Sequence, residues 1–162
     1  MPFQRPGRGK QDYSTPPEFL TAVKRLLGIE HFVWDLAAST ENTVVPGLYC
    51  HEHDDSLKHT WHGLAGWSWL NPPYANIAPW VEKAYRESWG SAKIAMLVPA
   101  SVGANWWLNW VHYKAMVLFL NGRLTFVGQT QPYPKDCALL LYGAERQQGW
   151  DSYCVWKWRD LA

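Results

Sequence analysis

Apolar positions along this chain fall into short blocks whose spacing switches between the helical and the extended period. In the first block, Leu20, Val23 and Leu27 lie on one helical face and Gly28 follows as a stop. Thr15 as N-cap, Pro16 at the first helical position and Glu18 completing a capping box predict that the helix starts at Pro16. Residues 29–34 predict a strand that ends at Asp35, and a further strand is expected at 48–50 before the polar stretch 51–63. The apolar run Gly66-Trp67-Ser68-Trp69-Leu70 reads as a short buried strand. Beyond it the pattern predicts a helix over 79–89 closed by Gly90, a buried strand over 93–98, a Trp-rich helix over 104–113 and a strand over 115–120. Asn121-Gly122 predicts a hairpin turn into a strand at 123–127, and strands at 136–142 and 152–158 complete the sheet.

This alternation predicts an α/β fold: a Rossmann-like mixed sheet with flanking helices and a C-terminal hairpin, its site at the carboxyl ends of the strands. With 162 residues, the chain fits a single domain over 13–162, preceded by a flexible basic arm at 1–12 that carries Arg5, Arg8 and Lys10. That size leaves no room for a separate target-recognition domain of the usual kind. No signal peptide, membrane segment or internal repeat is apparent. The 12 tryptophans are expected mainly in the core, with those near motif loops free to stack on bases. A formal net charge of +1 excludes a global basic field, so nucleic-acid affinity would have to come from a local patch. Cys50, Cys137 and Cys154 share no metal-type spacing and are expected as reduced thiols of a cytoplasmic protein.

Asn71-Pro72-Pro73-Tyr74, at the end of the buried strand 66–70, concentrates the candidate chemistry. Prolines can neither donate to a ladder nor continue a helix, so the chain leaves the sheet in a rigid turn. The Asn71 side-chain oxygen and the Pro72 carbonyl can each accept a hydrogen bond from one exocyclic NH2, while the Tyr74 ring stacks on the planar group that carries it. Such an arrangement leaves the nitrogen lone pair directed out of the plane, toward a methyl donor. Asp35, at a strand end and followed by the small Ala37, Ala38 and Ser39, marks a place where a nucleoside cofactor could approach the backbone. An Asp there also serves commonly as a turn or cap residue.

The tetrapeptide has company. Ser14-Thr15-Pro16-Pro17-Glu18-Phe19-Leu20, Trp34-Asp35-Leu36-Ala37-Ala38-Ser39, His53-Asp54-Asp55-Ser56-Leu57, Trp80, Met96-Leu97-Val98-Pro99-Ala100 and Gly122-Arg123-Leu124-Thr125-Phe126 follow one another in order. In that order and spacing the chain resembles the small phage-type DNA adenine-N6 methyltransferases, the Dam-like family, over nearly its whole length. The resemblance implies S-adenosylmethionine as cofactor, DNA as partner and substrate, and no membrane association. It also implies a cytoplasmic setting in a bacterial host, with a phage or prophage origin. Catalytic roles are implied for Asn71, Pro72, Pro73 and Tyr74, and a cofactor pocket for Thr15, Pro16, Asp35, Ala37, Ala38 and Ser39, with Asp55 near the cofactor's adenine. In place of a full glycine-rich FxGxG loop stands Ala37-Ala38-Ser39, and Glu41, Glu52 and Asp54 all remain options for the ribose hydroxyls.

A base inside a duplex must be flipped out to reach such a pocket. Arg123 and Lys135 are the first candidates for DNA contacts, with a salt bridge closing the hairpin as the competing role of Arg123. His51, His53, His59 and His62 crowd beside Cys50, but their spacing matches no closed zinc site and methyl transfer to an amine needs no metal, so none is expected. Two other classes stay open on the residues: a methyltransferase of glutamine side-chain amides, whose NH2 the same device would accept, and a non-enzymatic nucleic-acid binder on a retired enzyme fold.

Overall fold

The computed structural model describes residues 14–38, 43–45, 55–61, 65–144 and 152–162. Its centre is a six-stranded mixed sheet in the order β1-β2-β3-β5-β4-β6. The strands are β1 (Trp34–Asp35), β2 (Trp67–Leu70), β3 (Lys93–Pro99), β4 (Met116–Leu120), β5 (Cys137–Tyr142) and β6 (Tyr153–Trp156). β1, β2 and β3 pair in parallel, β4 pairs in parallel with β6, and β5 runs antiparallel to both of its neighbours, β3 and β4. β3 and β5 lie in the middle with both faces covered, which explains their near-continuous apolar sequences.

Alternation along these strands divides the core into two packed faces. Ile94, Met96 and Val98 with Ala138, Leu140 and Tyr142 face the helices α2 (Ala78–Ser88) and α3 (Asn105–Trp110). Ala95 and Leu97 with Cys137, Leu139 and Leu141 face the other way, against α1 (Pro17–Leu27) and the closing 3-10 turn Trp158–Leu161. There Arg25 donates to the carbonyls of Leu161 and Ala162, at 2.8 and 3.0 Å, and fixes the chain end on α1.

Several expected elements form within a residue or two of their predicted bounds, and the departures have physical reasons. α1 ends at Gly28, which takes the left-handed conformation with φ +66° and closes the helix by bonding back to Arg25 and Lys24. Its beginning differs: Pro16 is the N-cap, and no side chain caps the helix. The stripe it buries is Phe19, Ala22 and Val23, with Leu20 and Leu27 at the margin. The expected strand 29–34 reduces to Trp34–Asp35, flanked by single ladder bonds from Val33 to Trp67 and from Leu36 to Trp69. The region expected as a strand at 48–50 lies outside the described residues.

The C-terminal hairpin is not formed. Leu124 and Phe126 do alternate inward as a strand would, but both edges of β4 are already taken, by β5 and by β6. The backbone of this stretch bonds elsewhere: Val127 N–H to the Ser14 carbonyl at 3.1 Å and Tyr133 N–H to the Leu124 carbonyl at 2.7 Å. Gly122, at φ +106°, turns the chain out of the sheet rather than back along β4. Residues 121–136 thus become a folded connection across the carboxyl end of the sheet, reaching β5 only at Cys137.

Candidate active site

Because β1 and β2 are parallel neighbours, with Asp35 opposite Trp69, their carboxyl ends deliver Asp35 and Asn71 to the same edge of the sheet. In a parallel sheet that edge is where loops are free to build a ligand site. β2 is held by burial of Ser68, Trp69 and Leu70, so Asn71 is the first residue to leave the core. Pro72 is buried and Pro73 exposed, and the extended Pro73 backbone leads into a 3-10 turn, Tyr74–Asn76, that runs on into α2.

The side chains of this turn fold onto one another. The Tyr74 hydroxyl donates to Asn71 Oδ1 at 2.9 Å, and Asn71 Nδ2 donates to Thr15 Oγ1 at 3.2 Å. The Tyr74 ring meets Tyr133 nearly edge-on, with centroids 5.9 Å apart, and Tyr133 in turn stands edge-on to the buried Phe126 at 5.6 Å. Sequence reasoning did not single out Tyr133. Its signal was an aromatic set between Pro132 and Pro134 in an otherwise polar loop, where neighbouring prolines fix the backbone.

Asp35 is only 4% exposed. Its Oδ2 accepts the N–H of Val44 at 2.9 Å and its Oδ1 that of Ala37 at 3.3 Å, so the carboxylate pins the turn after β1 to the segment 43–45. Burial pushes its carboxyl up to about 6, and the Val44 and Ala37 N–H groups partly oppose that shift by favouring the charged form. Ala38 is buried and Ala37 half-buried beside it. Ser39 and Asp54 lie outside the described residues, as do Glu41, Glu52, His51, His53 and His62.

Thr15 and Pro16 are brought to Asn71 by the start of α1, and both are buried. Asp55 is placed differently, on the surface in an ion pair with Lys58 at 3.1 Å, at the start of the 3-10 turn Ser56–Lys58. That turn is anchored on α2 by Trp61, whose backbone N–H donates to Glu87 Oε2 at 2.9 Å and whose ring stacks on Trp80. His59 is exposed, and among the described residues no group of His, Cys, Asp and Glu gathers as a metal would require. Arg123 forms an ion pair, Nε to Asp136 Oδ1 at 3.1 Å, that ties the two ends of the connection 121–136 rather than closing a hairpin, while Lys135 is exposed on the same connection.

The family described as DNA N-6-adenine-methyltransferase (Dam) matches residues 4–141, a span that includes every residue of the Asn71 cluster. A protein of Escherichia phage T1 described as a DNA N-6-adenine-methyltransferase is 32% identical over 113 residues, which is 70% of this chain and 46% of the phage protein. The chain thus spans about half the length of that curated relative. No solved structure matches it. With the family covering most of the sequence, and the Asn71 cluster lying wholly inside the matched span, the chain belongs to the DNA N-6-adenine-methyltransferase (Dam) family.

Proposed function

We propose that this protein is an S-adenosylmethionine-dependent DNA methyltransferase that transfers a methyl group to the exocyclic N6 amine of adenine. The sheet is read as Rossmann-like, in keeping with its parallel run β1-β2-β3 and the gathering of Asp35 and Asn71 at one carboxyl edge. The observation that carries the reading is the Asn71–Tyr74 pair, closed at 2.9 Å in a proline-stiffened turn at that edge.

The residues after β1 fit a nucleoside cofactor. Beyond the buried Leu36, Ala37 and Ala38 carry only methyl groups, and the Asp35 carboxylate stiffens the turn through the Ala37 and Val44 amides. Asp35 acts in this reading as a brace of the pocket, with Pro16, Ala37 and Ala38 forming its wall. S-adenosylmethionine supplies an electrophilic methyl group on a positively charged sulfur.

For adenine in a duplex, flipping is required, and its cost is smallest where the base is unpaired or mismatched. The incoming amine exchanges with the Tyr74 hydroxyl on Asn71 Oδ1, and its second hydrogen is accepted by the Pro72 carbonyl. Released from Asn71, the Tyr74 ring turns its face to the base, with Pro73 keeping the turn rigid. With both amine hydrogens held by Asn71 Oδ1 and the Pro72 carbonyl, the amine lone pair would be free to take the methyl group that S-adenosylmethionine would supply, the sulfur keeping the electron pair of the broken bond. The nitrogen then carries the positive charge and loses a proton to water. Arg123 and Lys135, on the connection 121–136, are the groups we assign to the DNA backbone.

Methyl transfer from labelled S-adenosylmethionine to unmethylated DNA, followed by digestion to nucleosides, tests this directly. Label is expected in N6-methyl-2′-deoxyadenosine, and Asn71→Ala should lower turnover by about two to three orders of magnitude while DNA binding changes little. Label that reaches only protein amides, or an Asn71→Ala variant with normal turnover, overturns the assignment.

A further inference from the structure

We infer that Thr15 is a positioning residue for Asn71, holding the amide so that its oxygen and not its nitrogen meets the reacting amine. The inference deepens the methyl-transfer reading and rests on it. A threonine just before a helix ordinarily caps it through its hydroxyl. Here α1 has Pro16 as N-cap and no side-chain capping bond, and the Thr15 hydroxyl instead accepts from Asn71 Nδ2 at 3.2 Å, across 56 residues of sequence.

Everything around Thr15 fixes that acceptor in space. Its side chain is 7% exposed and β-branched, which restricts its first torsion. Pro16 follows with a ring-locked φ of −57°, and the Ser14 carbonyl before it accepts the Val127 N–H at 3.1 Å. An asparagine amide is nearly symmetric in shape and both of its partners here are hydroxyls, which can donate or accept, so it is the Thr15 hydroxyl acting as acceptor that keeps the nitrogen end turned away from the reacting amine. Tyr74 donates to the oxygen end and Thr15 receives the nitrogen end.

The orientation matters to the chemistry. With Oδ1 forward, Asn71 draws an amine hydrogen and leaves the nitrogen lone pair for the methyl carbon. With Nδ2 forward, a donor would face the amine and bind the very lone pair that must attack. Loss of the Thr15 hydroxyl therefore acts on the chemical step rather than on binding.

The test uses the full chain, wild type and Thr15→Val, Thr15→Ser, Asn71→Ala and the Thr15→Val/Asn71→Ala double variant, with kcat and KM for DNA from labelled methyl transfer and the S-adenosylmethionine Kd from calorimetry. Thr15→Val, equal in shape but without the hydroxyl, is expected to lower kcat about 30-fold with Kd and KM within about twofold of wild type. Thr15→Ser should recover kcat to within about threefold, and Thr15→Val should add nothing further in the Asn71→Ala background. If Thr15→Val weakens cofactor binding at unchanged kcat, Thr15 is a cofactor contact and the positioning role is overturned. If Thr15→Ser is as impaired as Thr15→Val, or Thr15→Val lowers the residual activity of Asn71→Ala, the hydroxyl does not act through Asn71. A wild-type protein that transfers no methyl group to DNA overturns the function as well, an outcome read before any variant is compared.

Discussion

Asp35 sits where burial and hydrogen bonding pull in opposite directions. The Val44 and Ala37 N–H groups favour its charged form, yet burial outweighs them and raises the carboxyl from its ordinary 3.8 to about 6. Between those values the folded chain holds a proton that the unfolded chain has released. The group therefore favours folding in acid, and its contribution fades as pH rises through about 6. Asp35→Asn removes this titration while keeping one acceptor for the two amides. The stability of wild type relative to Asp35→Asn, measured by denaturant unfolding, should fall by about 2 kcal/mol between about pH 4.5 and about pH 7.5. A pH-independent difference would mean that the carboxyl titrates alike in both states. Sequence placed Asp35 at a strand end beside small residues, and it did so correctly. That its oxygens would bind the Val44 amide was not legible, because the partner comes from an irregular segment whose course no periodicity records. Thr15 was legible as a hydroxyl near a helix start, and its real partner was hidden for a similar reason: Asn71 is distant in sequence and near only after β2 and α1 have packed.

At the scale of elements, the stretch 121–136 shows how a correct pattern yields a wrong element. Alternating Leu124 and Phe126 do point inward, but inward-pointing alternation is satisfied by any extended segment lying on a core. Only the pairing of neighbours distinguishes a strand, and β4 had no edge left. The Trp-rich helix was overextended for a comparable reason: it stops at Trp110, and the chain turns through Tyr113 at φ +57°, a conformation that residue pattern does not announce. By contrast α2, β2, β3 and β5 were legible, since their apolar runs are bounded by Gly and Pro and buried on the faces the pattern selects. On the proposed function, the misread element bears on the methyl-transfer site. As a connection it carries Tyr133 to Tyr74 and, through the Val127–Ser14 bond, braces the start of α1 beside Thr15. Tyr133→Ala removes the ring against which Tyr74 rests, and kcat for DNA methylation should fall about tenfold, with Tyr133→Phe near wild type because the contact is between rings. Unchanged turnover in Tyr133→Ala would separate the connection from the site.

Over the whole molecule, the balance of charge sets how the protein can hold a polyanion. The chain carries Lys and Arg at 15 positions against 14 Asp and Glu, and many of the described basic groups are engaged within the fold. Lys83 pairs with Glu87, Arg86 with Glu82 and Arg123 with Asp136, Arg25 bonds the chain end, and Arg159 lies over the Trp158 ring while donating to the Arg123 carbonyl. The Arg123–Asp136 pair is largely open to water, so it is weak, and a phosphate can compete with Asp136 for the guanidinium. DNA binding by this chain should then depend on few phosphates. The slope of log K against log salt is expected to be no steeper than about −4, and Arg123→Ala or Lys135→Ala should each flatten it by about one. Titrations across a range of salt concentrations measure both quantities. A slope near about −8 in the wild type would require a broad phosphate-binding surface, and slopes unmoved by either substitution would place the DNA path away from the connection 121–136.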